Sequence, residues 1–329
     1  MPKVALIFGI AGQDGSYLAE LLLAKGYEVH GAIRMNSMHA IKNGDYRLRA
    51  IEQNITFHVG DVLDSLFVRS TVHAVRPDEV YNLAGQSHVG HSFSNPGYTT
   101  QVNSGAVLEM LTVVQQATWP IRFYQASTSE MFGNAQSSPQ DENTPLRPVS
   151  PYGEAKVAAH NHVAHYRDTY GLHASAGILF NHESPRRSAD FVTRKITLGV
   201  AEIVAKKRDI IPLGDLSARR DWGYAPEYVE AMYLMLQQEL PGDYVIATGE
   251  NHSVKELCEY AFSLVGLSWE EHVKSEPSLL RPKEIADLRG NSAKAHAVLG
   301  WQPRTKFHEM IKLMLAADLE KLGVGERLT

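Results

Sequence analysis

Three glycines at intervals of three, Gly9, Gly12 and Gly15, stand between the apolar run Val4-Ala-Leu-Ile-Phe8 and a stretch of helical period that begins at once. Glycine at such a junction lets the chain turn tightly out of a strand. It also lets backbone N–H groups approach an anion at the positive end of the following helix. A glycine triplet also occurs in ordinary turns, so its weight comes from its place between the first strand and first helix of an alternating chain. Across Ser16–Lys25, Leu18, Leu21, Leu22 and Lys25 share one helix face, and Gly26 is placed to stop the helix.

Further β-rich runs are expected at Glu28–Ile33, Ile55–Val59, Glu79–Leu83, Arg122–Ala126 and Ala174–Leu179, separated by segments of helical period. That alternation predicts an α/β fold with a doubly wound parallel sheet. After Asn181 it weakens, and Pro185, Pro212, Pro226, Pro241, Pro277, Pro282 and Pro303 break the chain into shorter elements. With 329 residues there is room for about two domains. The expected division is a nucleotide-binding domain over 1–180 and a smaller α/β lobe over 181–329, with segments free to exchange between them.

Bulk properties exclude several classes of function. A formal charge of -5 lacks the basic excess of a nucleic-acid protein. No apolar run approaches the roughly 20 residues that span a bilayer. The single cysteine, Cys258, cannot form an internal disulfide, and Met1-Pro2-Lys3 leads directly into a strand-like run, so the cytoplasm is the expected compartment.

The end of the second strand bears on cofactor choice. An acid there binds a ribose 2′-hydroxyl and repels a 2′-phosphate. Here the sequence reads Gly31-Ala-Ile-Arg34-Met-Asn36-Ser37, without an acid. Arg34 can pair with a 2′-phosphate through its fork of donors, with Asn36 and Ser37 as helpers, which points to NADP. Asp61 and Val62, just past the third strand, are placed for the adenine. Leu83, Ala84 and Gln86, past the fourth, lie where small residues meet a dinucleotide.

Tyr152-Gly-Glu-Ala-Lys156 puts a phenol and an ammonium one helical turn apart. A neighbouring ammonium favours the phenolate, so Tyr152 is expected to act as a base. Past the fifth strand stand Thr128, able to hydrogen-bond the substrate oxygen, and Glu130. Alcohol oxidation needs no carboxylate two residues beyond the threonine. A carboxylate there can remove a C–H proton acidified by a neighbouring ketone and help a hydroxyl leave as water.

The glycine spacing is similar to that of the short-chain dehydrogenase/reductases, whose nucleotide-binding half is a Rossmann sheet. Closer likeness lies in Gly12-Gln-Asp-Gly15-Ser-Tyr-Leu-Ala-Glu20, Phe123-Tyr-Gln-Ala-Ser-Thr-Ser-Glu130, Ser150-Pro-Tyr-Gly153, Asn181-His-Glu-Ser-Pro-Arg-Arg187, Phe191-Val-Thr-Arg-Lys195, Arg220-Asp-Trp-Gly223 and Tyr228-Val-Glu-Ala-Met232. Through these segments the chain resembles the GDP-mannose 4,6-dehydratase family of nucleotide-sugar dehydratases. The resemblance implies a redox-neutral reaction on a GDP-sugar, with Thr128, Glu130, Tyr152 and Lys156 catalytic. It implies that Gly9, Gly12, Gln13, Asp14, Gly15, His182 and Arg187 contact NADP, and that Ser87, Asn181, Lys195, Arg220, Arg281 and Glu284 line the sugar-nucleotide pocket. It further implies a homodimer or homotetramer. Phe8 and Met35-Asn36 depart from residues common in the family, and the segment before Pro282 is shorter than in many members. GDP-heptose in place of GDP-mannose stays open, as does a sugar-nucleotide epimerase or reductase of the same fold; a silent NADP-binding sensor is the reading from another class.

Other signals carry less. His160-Asn-His162-Val-Ala-His165 lacks metal-ligand spacing, because positions two apart on a helix point apart, so no metal is expected. Cys258 lies in an amphipathic helical pattern and reads as a packed thiol.

Overall fold

The computed structural model describes residues 2–42, 47–280, 282, 283, 285 and 287–328. Six strands appear at the expected places: β1 (Val4–Phe8), β2 (Glu28–Ile33), β3 (Ile55–Val59), β4 (Glu79–Asn82), β5 (Arg122–Thr128) and β6 (Ala174–Leu179). A seventh, Asp243–Ile246, pairs with the outer side of β6. The sheet runs in the order (Asp243–Ile246)-β6-β5-β4-β1-β2-β3, parallel throughout. Strand β5 continues past Ala126 because its backbone still pairs with β6, with Ser127 opposite Ile178 and Thr128 opposite Leu179. That extension carries Thr128 to the sheet's carboxyl edge.

Strands covered on both faces read as continuous apolar runs, and Ala5, Leu6, Ile7 and Phe8 are each 0% exposed. One face packs beneath the helices Ser65–Val75, Ala106–Gln115 and Pro151–Tyr170, with Val68, Met110, Leu111 and Val163 in the core between. Against the other lie α1 (Gln13–Ala24) and the helix Ala225–Gln237, joined through Leu18, Leu22, Met232 and Met235. Chain order reverses between β1 and β4, which opens a crevice at the carboxyl end of β1. The glycine turn sits there.

Beyond residue 180 the chain does not stay in one layer. The helices Val192–Val204, Val254–Ser263 and Phe307–Lys321 enclose a separate core with Trp222, Leu257 and Met314. Ala225–Gln237 and Asp243–Ile246 return to the sheet. Inside the smaller core, Arg194 pairs with Asp318, 0% exposed, and Thr197 Oγ1 donates to the same carboxylate at 2.9 Å. Cys258 is buried, and its thiol is pushed up to about 12 by desolvation.

Gly9 has φ +86°, and a Cβ there would come within 2.7 Å of Ala84 N and of Leu83 C. At Gly15 it would lie 2.4 Å from Gly9 O. Both obstacles are backbone, so relief means moving β4 or the turn itself. Gly9→Ala is expected to cost at least about 1–3 kcal/mol in the unliganded protein, from the strained φ alone. Thermal unfolding without ligand checks this; an unchanged Tm would show that the turn tolerates a side chain.

Candidate active site

A cleft of about 800 Å3 opens over the carboxyl edge of the sheet. The glycine turn and the end of β5 contribute to it, as do the start of the helix Pro151–Tyr170 and the segment from Asn181 to Lys195.

That helix starts where the sequence provides for it. Ser150 Oγ accepts from Gly153 N at 3.1 Å, Pro151 takes the first turn, and Gly171 closes the far end with φ +67°. Tyr152 and Lys156 therefore sit one turn apart beside the end of β5. Thr128 shares a side-chain hydrogen bond with Tyr152, and Lys156 Nζ donates to Ala126 O at 2.8 Å. The Lys156 ammonium stands 5.9 Å from the centre of the Tyr152 ring. Glu130 follows in a single 3-10 turn, Ser129–Met131, whose start is capped by Thr128 Oγ1 accepting from Glu130 N at 3.3 Å. It is 8% exposed.

In the unliganded protein, burial outweighs the expected help from the ammonium. Desolvation pushes the Tyr152 phenol up to about 12, with Glu130 adding to the rise; the hydrogen bond from Thr128 and the charge of Arg187 pull the other way. Desolvation also brings the Lys156 ammonium down to about 8. The expectation that the neighbouring ammonium brings the phenol toward neutrality is thus corrected for the unliganded chain: desolvation raises Tyr152 instead.

The glycine turn is tied to the segment after β6 by polar contacts. His182 Nε2 lies 2.9 Å from Asp14 Oδ2, and Nδ1 lies 2.8 Å from Phe180 O. Acceptors on both ring nitrogens require a proton on each, so the ring is an imidazolium. Burial opposes that charge, yet Asp14 raises His182 above its usual value; His182 lowers Asp14 against its own desolvation. Gln13 Nε2 donates to Asp14 Oδ1 and to His182 O at 2.9 and 3.1 Å, and Ser184 Oγ donates to Gln13 Oε1 at 2.8 Å. The ring stacks on Tyr228 at 4.7 Å. Arg187 pairs with buried Glu183 at 3.1 Å and covers Phe191 at 3.6 Å.

Gly9, Gly12, Gln13, Asp14, Gly15, Leu83, Ser87, Thr128, Glu130, Tyr152, Lys156, Asn181, His182, Arg187, Lys195 and Arg220 all line this cleft. Arg34, Asn36 and Ser37 stand apart, at the end of β2, with the first two exposed. Asp61 and Val62 lie at the end of β3, where Asp61 Oδ1 accepts from Leu63 N at 3.0 Å. Ala84 and Gln86 back the turn: Ala84 N donates to Asn82 Oδ1 at 3.2 Å, and Gln86 N donates to Asn103 Oδ1 at 3.0 Å. Arg281 and Glu284 lie outside the described residues. The sequence reading missed His88 and His91, which stack at 4.1 Å on one wall, and Glu183 and Phe191, which hold Arg187. Only the position of His88, after the β4 turn, was available as a signal.

A sequence model described as GDP-mannose 4,6 dehydratase matches residues 6–314. The chain belongs to the GDP-mannose 4,6-dehydratase family. Among family members, GDP-mannose 4,6 dehydratase 1 of Arabidopsis thaliana is 47% identical over 97% of this chain and 90% of its own length. The Homo sapiens GDP-mannose 4,6 dehydratase is 46% identical over 97% of this chain and 92% of its own. Among solved structures, a UDP-glucose 4-epimerase of Thermus thermophilus in complex with NAD has a TM-score of 0.83 at 25% identity, covering 96% of this chain and 98% of its own. The chain thus shares its architecture with that epimerase. Among the described residues no group of His, Cys, Asp and Glu is placed to hold a metal ion, and no helix is long and apolar enough to cross a membrane.

The Asp14–His182 pair gives a pH signature with a definite sign. Asp14 contributes stability above 3.8, lost as pH falls through its lowered folded value. His182 contributes stability below 6.5, lost as pH rises through its raised folded value. The Tm difference between the wild type and Asp14→Asn is therefore expected to be greatest between pH 3.8 and 6.5 and to shrink at alkaline pH. A difference independent of pH would mean that the pair is not ionic.

Proposed function

We propose that the chain catalyses the reaction for which its family is named, converting GDP-mannose to GDP-4-keto-6-deoxymannose and water. A buried carboxylate, Glu130, beside Thr128, Tyr152 and Lys156 in one cleft carries this reading.

A dinucleotide fits the site. Gly9 and Gly15 let the turn pack backbone against backbone with no side chain over it, and the N-terminus of α1 has no side-chain cap, so its N–H groups are available to a pyrophosphate. His182 and Arg187 lie beside that turn. Arg34, with Asn36 and Ser37, suits a 2′-phosphate, so the cofactor is NADP; Asp61 and Val62 flank the adenine. Bound there, NADP would supply a reversible hydride acceptor for oxidation at the sugar C4 and reduction at C6. Its oxidised ring also brings the positive charge that the Tyr152 phenol lacks in the unliganded cleft.

Tyr152 takes the proton from the C4 hydroxyl while Thr128 holds that oxygen. The C4 ketone acidifies the C5 proton, which Glu130 removes and delivers to the departing C6 hydroxyl, releasing water. The proton kept by Tyr152 then balances the one that C5 needs back, and the cycle closes with no net oxidation. Lys195 and Arg220 suit the diphosphate, with Asn181 and Ser87 toward the sugar. Arg281 and Glu284 are assigned to the nucleotide end on family likeness. Residues 181–329 supply most of the substrate side, and the protein works in the cytoplasm as a homodimer or homotetramer.

Glu130→Gln is expected to fold and bind NADP and GDP-mannose but to lower kcat by about 10²–10⁴-fold. Mass spectrometry of the product without added reductant reads the loss of one water. Wild-type turnover that consumed NADPH stoichiometrically, or gave no mass change, would overturn the dehydratase reading. Arg34→Ala is expected to weaken NADP binding by about 1.5–3 kcal/mol while leaving NAD unaffected. Titration calorimetry with both cofactors decides it; equal losses would remove Arg34 from 2′-phosphate recognition.

A further inference from the structure

One titratable group near the catalytic residues, its side chain 11% exposed, has no part in the proposed reaction. His160 lies one helical turn beyond Lys156, so Tyr152, Lys156 and His160 form a stripe on the helix Pro151–Tyr170 at spacings of four. Each member meets the end of β5: Tyr152 meets Thr128, Lys156 donates to Ala126 O, and His160 Nδ1 lies 3.1 Å from Ser127 Oγ. Ser127 is 3% exposed and stands directly before Thr128.

The remaining neighbours fix the direction of that hydrogen bond. His160 Nε2 faces Asp243 Oδ2 at 3.8 Å, and Arg167 grips the same carboxylate through both nitrogens at 2.9 and 2.8 Å. Burial lowers His160, and Arg167 lowers it further against the pull of Asp243, which favours the neutral ring. A carboxylate at Nε2 selects the tautomer with its proton there. Nδ1 then accepts, and Ser127 Oγ–H donates. Asp243 belongs to the strand outside β6, so the chain Ser127–His160–Asp243–Arg167 crosses from the cleft floor to the sheet's outer strand.

We propose that His160 is a positioning residue: by accepting from Ser127 it fixes the last residues of β5 and so sets the approach of Thr128 to Tyr152. The inference rests on the dehydratase reading of this cleft. A small displacement at such a contact lowers the rate without weakening ground-state binding.

The test uses the full chain with NADP and follows water loss from GDP-mannose. Ser127→Ala and His160→Ala are each expected to lower kcat roughly tenfold, with KM within about twofold of the wild type. The double variant should be no slower than the worse single, because both remove one interaction. His160→Asn puts an acceptor where Nδ1 stood and should recover most of the loss. Unchanged kcat in Ser127→Ala, additive losses, or a risen KM at unchanged kcat would each overturn the proposal. If His160→Ala does not fold, Ser127→Ala and His160→Asn decide it. Nitrogen-15 NMR of the wild-type imidazole gives a reading independent of substrate: a bare Nδ1 is expected, and a protonated Nδ1 overturns the assignment. A wild type that releases no water from GDP-mannose would instead remove the functional reading and leave the NMR result standing.

Discussion

The site depends on backbone packed against backbone at the exit from β1. Gly9 touches the main chain of Leu83 and Ala84, and Gly15 touches the main chain of Gly9, so turn, strand β4 and first helix meet without side chains between them. That contact aims the start of α1 into the crevice where the strand order reverses. It also fixes Gln13 and Asp14, which tie the turn to His182. A displaced turn would take the start of α1 out of the crevice and break the link to His182 together.

Electrostatics then divide the cleft. Along β5 and the helix above it, dryness dominates, and Tyr152, Lys156 and His160 are all pushed toward their neutral forms. Around the glycine turn charge is kept, because Asp14 and His182 satisfy each other at 2.9 Å. A region that disfavours charge thus borders one that holds a fixed ion pair.

Much of this was legible in the sequence because it is local. Six strands follow from apolar runs, the turn from the glycine spacing, and the Tyr152–Lys156 stripe from helical period. The seventh strand, Asp243–Ile246, was not, since four residues give too short a run to show an alternating pattern. Nor was the partner of Asp14, which stands 168 residues away. The direction of the Tyr152 shift was missed for a related reason: a neighbouring lysine is visible in sequence, whereas desolvation is a property of the closed fold. His160 was set aside as part of a spacing unsuited to metal, and its contact with Ser127 emerges only when helix and strand are in register.

The pairing of Arg194 with Asp318 reaches further than its place in the smaller core suggests. Asp318 belongs to the helix Phe307–Lys321, which contributes no described residue to the cleft lining. Yet Arg194 adjoins Lys195, and its Nε donates to Pro185 O at 3.2 Å, in the loop that leads to Arg187. Two cations of the cleft are thereby oriented from the far side of the lobe. The last helix works as a splint, so the geometry of the cleft depends on chain well past the last described residue of its lining.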